Sequence, residues 1–210
     1  MPLSSRVVLQ VLVATAALGM FAPAHGAGDA ARGKQLSYTC LGCHGIPDYK
    51  NVYPTYSVPE LAGQHPEYIV AALKEYKAGE RSHATMHEQA ASLSEQDMQD
   101  IGAYFGSDQL KATAQAVGTA PAKVAICGSC HGKNGVGITG DYPTLAGQHA
   151  DYLARALHEY QRGDRKNAIM PNFANGLSDE EISDIAQYFS KQLPPLHTLK
   201  RRSTFLSSAD

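Results

Sequence analysis

The 210-residue chain carries 18 basic and 20 acidic side chains, five Phe, no Trp and four Cys. This near-neutral balance, with no Lys/Arg stripe interleaved with aromatics, excludes nucleic acid as the expected partner. So few large apolar residues leave only thin aliphatic cores, and small domains built on them need a further stabilising group.

In chain order, Arg6 makes a short positive start. Val7 to Phe21 is apolar but for Gln10, Thr15 and Gly19, and Ala22-Pro23-Ala24-His25-Gly26-Ala27 follows. This pattern predicts a signal peptide over residues 1–26, cut after Gly26, with Ala24 and Gly26 as the small residues at the selective positions. A retained anchor is the alternative, but the run is short and no basic stop-transfer cluster follows it. The expected location is therefore a bacterial periplasm, an oxidising compartment in which the cysteines need a chemical partner.

A first helix is expected from near Asp29, a capping residue, into Cys40. It leads to Cys40-Leu41-Gly42-Cys43-His44, which returns later as Cys127-Gly128-Ser129-Cys130-His131. Cys-x-x-Cys-His is the attachment sequence of a c-type haem: the thiols straddle one porphyrin edge, and the histidine is carried beneath the iron. A redox dithiol or half a zinc site is the competing reading of one such pair. Every cysteine of the chain lies in one of the two pairs, and each pair is followed by His, which favours two haems. Cys40, Cys43, Cys127 and Cys130 are thus the candidate attachment residues, and His44 and His131 the candidate iron ligands.

After a loop holding Tyr49, Tyr53 and Tyr56, the segment Pro59-Glu60-Leu61-Ala62-Gly63-Gln64-His65 recurs as Pro143-Thr144-Leu145-Ala146-Gly147-Gln148-His149. At the same offset Tyr68, Ala72, Leu73, Glu75, Tyr76, Gly79 and Arg81 match Tyr152, Ala156, Leu157, Glu159, Tyr160, Gly163 and Arg165. The chain is an internal duplication. Pro59 and Pro143 either stiffen their loops or offer a carbonyl to the second ring nitrogen of the proximal histidine. His65 and His149, at helix starts, suit capping or interdomain hydrogen bonds better than iron.

Middle helices are predicted from Pro66 to Ala78 and from Ala150 to Arg162, with Gly79 and Gly163 as terminators. Last helices open at Ser94-Glu95-Gln96-Asp97 and Ser178-Asp179-Glu180-Glu181, the second a capping box and the first a near match. The counterpart of the first helix lies between Pro121 and Cys127. No stretch alternates as a strand does, so the fold class is all-α.

A second axial ligand comes from Met, His or Lys. Of five methionines, Met86 and Met170 occupy matching positions in the loop between middle and last helices. Met98 pairs with Ile182 and reads as core. Met170, followed by Pro171, and Met86 are therefore the candidate thioether ligands. His83 and His87 beside Met86 remain alternatives in the first half.

The start Ala27-Gly28-Asp29-Ala30, the two Cys-x-x-Cys-His-Gly motifs, the paired Leu-Ala-Gly-Gln segments and the paired Leu-Ser-acid helices resemble the dihaem cytochrome c4 family, from about Ala27 to Leu193. The resemblance implies two tandem class I cytochrome c domains, each carrying one covalently attached haem c with His/Met-ligated iron. The expected division is a first domain over 27–106, a linker over 107–119, a second domain over 120–193 and a C-terminal tail over 194–210. The tail, with Lys200-Arg201-Arg202, reads as a flexible extension or a docking element.

The expected function is a periplasmic electron carrier of a respiratory chain rather than an enzyme. It would take electrons from a quinol-cytochrome c reductase or a dehydrogenase and deliver them to a terminal oxidase. The resemblance also allows peripheral membrane association, as in some members. A dihaem subunit of a dehydrogenase complex is the alternative reading, and a dihaem peroxidase or a haem sensor the weaker ones.

Overall fold

The computed structural model describes residues 28–112 and 115–199. The predicted signal peptide and Lys200-Arg201-Arg202 lie outside these residues. The first half contains α1 (Ala30–Leu36), α2 (Leu41–His44), α3 (Pro66–Lys77), α4 (Ala84–Ala91) and α5 (Glu95–Phe105). The second contains α6 (Val124–His131), α7 (Ala150–Arg162), α8 (Met170–Ala174) and α9 (Asp179–Ser190). No strand occurs among the described residues, only isolated bridges.

Asp29 caps α1 by accepting the N–H groups of Ala31 and Arg32. The helix does not run on into Cys40 as expected. Ser37, fully buried, is its C-cap and donates the last helical N–H to Gly33 O, after which the chain turns through Thr39 before α2 begins. Gly33 lets α1 lie directly on α5, since a Cβ there would fall 1.9 Å from Asp100 O. Arg32 then bonds both Asp97 and Asp100, and the Asp29 N–H donates to Asp100 at 2.8 Å.

The middle and last helices follow their sequence signals. Pro66 opens α3, and Gly163, in the left-handed region at φ 76°, closes α7. Ser94 and Ser178 each close a full capping box, with Asp97 and Glu181 as the reciprocal partners. The first core gathers Leu41, Ile69, Leu73, Met98, Ile101 and Phe105, so Met98 is core filling as expected. The second gathers Val124, Leu153, Ile185, Tyr188 and Phe189.

Two expectations change. The loops that carry Met86 and Met170 are short helices, α4 and α8. His83 accepts the Met86 N–H at 3.2 Å, and the Asn167 side chain accepts the N–H groups of Ile169 and Met170, each at 2.9 Å. The start of the tail is also no free extension. Ala62 and His197 exchange both backbone hydrogen bonds at 3.1 Å, and Leu196 N–H donates to Ala146 O at 2.8 Å. Leu196 is 3% exposed, and Leu199 packs on the first core. Residues 194–199 thus form a strap over both halves.

Candidate functional site

The two histidines of the Cys-x-x-Cys-His motifs are held alike. His44, closing α2, places Nδ1 2.8 Å from Pro59 O, and His131, closing α6, places Nδ1 2.8 Å from Pro143 O. A carbonyl only accepts, so Nδ1 carries the proton and Nε2 keeps its lone pair. Burial holds both imidazoles below the usual histidine range, against the pull of these carbonyls. Each is therefore neutral at pH 7 and free to bind a metal through Nε2. Of the two readings of Pro59 and Pro143, the carbonyl is the one observed.

All four cysteines are half-buried, and none is joined to another in a disulfide. Cys40 and Met86 flank the same first core. Met170 opens α8, whose end is tied to α7 by Gln161 Nε2 donating to Ala174 O at 2.9 Å. His87, exposed, donates Nδ1–H to Tyr76 O at 2.8 Å and ties α4 to α3. His65 and His149 turn to the interface. His65 Nε2 lies 3.1 Å from Gly137 O, and His149 Nε2 lies 3.4 Å from a Glu60 carboxylate oxygen.

The interface also contains charged groups given no role by the sequence reading. Arg81 and Arg165 face each other in an antiparallel bridge, each 4% exposed. The Tyr68 hydroxyl accepts from Arg165 at 2.7 Å and from Arg81 at 3.5 Å, and Glu75 pairs with Arg81 at 2.6 Å. Both guanidiniums are held firmly charged: Tyr68 is among the groups favouring the cation, and this outweighs the burial that opposes it. Their identity at one repeat offset was the available signal, since a residue lying at the interface between two repeated halves meets its own counterpart there.

The donor set suits a haem in each half. Two thiols and a tautomer-fixed imidazole stand together in each motif. The Nε groups of Arg81 and Arg165 are buried without a protein partner, which fits the carboxylates of such a group. Ile126, Ile138 and Phe173, 54%, 60% and 40% exposed, offer apolar surface beside Cys127, Cys130 and Met170.

Known proteins agree. The family model for cytochrome c matches residues 30–109, and that for subunit III of cbb3-type cytochrome c oxidase matches residues 119–189. Cytochrome c4 of Pseudomonas aeruginosa is 35% identical over 188 residues, covering 81% of this chain and 92% of that protein. The crystal structure of reduced recombinant cytochrome c4 from Pseudomonas stutzeri is 31% identical with a TM-score of 0.63, covering 79% of this chain and all of the other. A thiosulfate dehydrogenase electron acceptor of Stutzerimonas stutzeri is 31% identical over 169 residues, covering 72% of this chain and 77% of that protein. Two helical cytochrome c domains, two covalently bound haem c groups and a role in electron transfer follow, and the chain belongs to the cytochrome c4 family.

Proposed function

We propose that Cys40 and Cys43 in the first half, and Cys127 and Cys130 in the second, form the thioether links. His44 with Met86 and His131 with Met170 then bind the two irons. The haem supplies a one-electron iron couple. The residues' task is to hold that iron with little rearrangement between oxidation states. The observation that carries the assignment is the matched pair of Nδ1–carbonyl bonds at 2.8 Å, which leaves each imidazole one free nitrogen. In the first half, Met86 packs on the same core as Cys40 whereas His87 is exposed, which favours Met86.

The domains would span 27–106 and 120–193, joined by 107–119. Both ends of that connection are held: Leu110 lies against Gly63, and Gln192 exchanges hydrogen bonds with the Val117 backbone at 2.8 and 2.9 Å. In this reading the protein is exported to the periplasm after cleavage near Gly26. There it carries electrons from a quinol-cytochrome c reductase or a dehydrogenase to a terminal oxidase. The named thiosulfate dehydrogenase electron acceptor favours one alternative, in which the donor is a thiosulfate-oxidising enzyme.

A spectroelectrochemical titration of the purified protein tests the ligand set. Two one-electron steps and the long-wavelength ferric band of His/Met ligation are expected. Met86→Ala and Met170→Ala should each abolish half of that band. A full band in Met86→Ala would turn the assignment to a neighbouring imidazole. Reduction by thiosulfate dehydrogenase and thiosulfate, compared with reduction by quinol and its reductase, separates the two donor classes.

A further inference from the structure

Each half sends one buried glutamine across the interface to the other half's proximal loop. Gln64 and Gln148 are 3% and 4% exposed. Gln148 Oε1 accepts the Glu60 N–H at 3.0 Å, and its Nε2 donates to Glu60 O at 2.9 Å. Gln64 repeats this on Thr144, at 2.9 and 3.0 Å. Each carboxamide oxygen also accepts the N–H of the next residue, His65 at 3.0 Å or His149 at 3.1 Å, which anchors it to the start of its own middle helix.

The Glu60 N–H and the Pro59 carbonyl belong to one peptide group, as do the Thr144 N–H and the Pro143 carbonyl. The proximal imidazole and the opposite half's carboxamide therefore grip the two edges of one conjugated plane. The relay runs from His44 Nδ1–H through the Pro59–Glu60 peptide to Gln148 Oε1, and from His131 through Pro143–Thr144 to Gln64.

We infer that Gln64 and Gln148 are positioning residues that tune in trans, each half setting the donor strength of the other half's iron-binding histidine. The inference rests on His44 and His131 as iron ligands. Accepting a peptide N–H shifts electron density toward that peptide's oxygen, and linked hydrogen bonds polarise one another. A stronger acceptor at Pro59 O draws on the Nδ1 proton and makes Nε2 a better donor. Better donation favours ferric iron and lowers the potential.

Gln148→Met keeps the side-chain length and removes the polar contacts. In the full-length dihaem protein, titrated haem by haem through its hyperfine-shifted NMR resonances, it raises the potential of the haem on Cys40 and Cys43 alone. Gln64→Met raises only that of the haem on Cys127 and Cys130. Gln148→Glu keeps an acceptor and adds negative charge, so it lowers the first potential, and it gives a second reading if the Met variant folds poorly. A loosened interface would instead move both haems, or shift both Gln148 variants in one direction. Either result, or no shift, overturns the inference. Amide hydrogen exchange gives an independent check, with faster exchange at Glu60 in Gln148→Met and at Thr144 in Gln64→Met. Unchanged protection at those amides also overturns it. A wild-type spectrum without histidine ligation would remove the ligand assignment and this inference with it, whereas a normal spectrum without crossed shifts removes the inference alone.

Discussion

Two guanidiniums buried side by side repel, and the Tyr68 hydroxyl is the hydrogen-bond acceptor they share. Burial pushes the Tyr68 pKa up, but Arg165 and Arg81 together bring it below its ordinary value. Tyr68→Phe keeps the ring and leaves both cations short of an acceptor. It should cost about 2 kcal/mol of unfolding free energy, read from denaturant titration. The Glu60–His149 pair adds a pH dependence. Glu60, opposed by burial but bonded by His149 and Thr198, is held below 4.5, and the Glu60 hydrogen bond holds His149 above 6.5. Its stabilisation is complete between those two values. It fades as the pH rises through the raised histidine pKa, or falls through the lowered carboxylate pKa. Glu60→Gln should therefore lower Tm more at about pH 5.5 than at about pH 9, with the pair worth about 1 kcal/mol where both groups are charged. An equal loss at both pH values would show that the pair carries no charge-dependent stability.

At the scale of elements, α1 and α5 cross where a glycine permits contact. Gly33→Ala places its Cβ against the Asp100 backbone and should destabilise the protein by about 2–3 kcal/mol, measured by chemical denaturation. Ser178→Ala removes the hydroxyl half of a capping box, with an expected loss of about 1 kcal/mol in the same assay. The helices with strong local signals were legible in the sequence. Ala150 to Arg162 was predicted residue for residue, since an apolar stripe and a terminating glycine both marked it. The early stop of α1 was not legible, because no glycine or proline marks Ser37-Tyr38-Thr39. Nor were α4 and α8, short helices begun by the His83 and Asn167 side chains rather than by a long periodic face. The Nδ1–carbonyl geometry could be named beforehand only as one of two options, because loop path is a tertiary property.

At the scale of the whole molecule, the duplication showed in the sequence, but its mutual grip did not. Gln64, Gln148, Arg81 and Arg165 stood out as identities at one offset, and only the fold shows that they meet across the axis. The strap over 194–199 carries no periodicity, which left its sequence open between a flexible extension and a docking element. Ending the chain after Leu193 removes the backbone bonds to Ala62 and Ala146 and exposes the Leu196 site. The shortened protein should lose about 2–3 kcal/mol from the apolar burial alone. Its calorimetric trace should broaden or split as the halves uncouple, whereas a single sharp transition at the original temperature would deny the strap its role. There is also a temporal meaning in what this clasp joins. It bonds Ala62 in one lobe and Ala146 in the other, so it can close only once both lobes have folded and met. Until then each lobe can mature on its own, and a pair with one misfolded lobe is left unlatched.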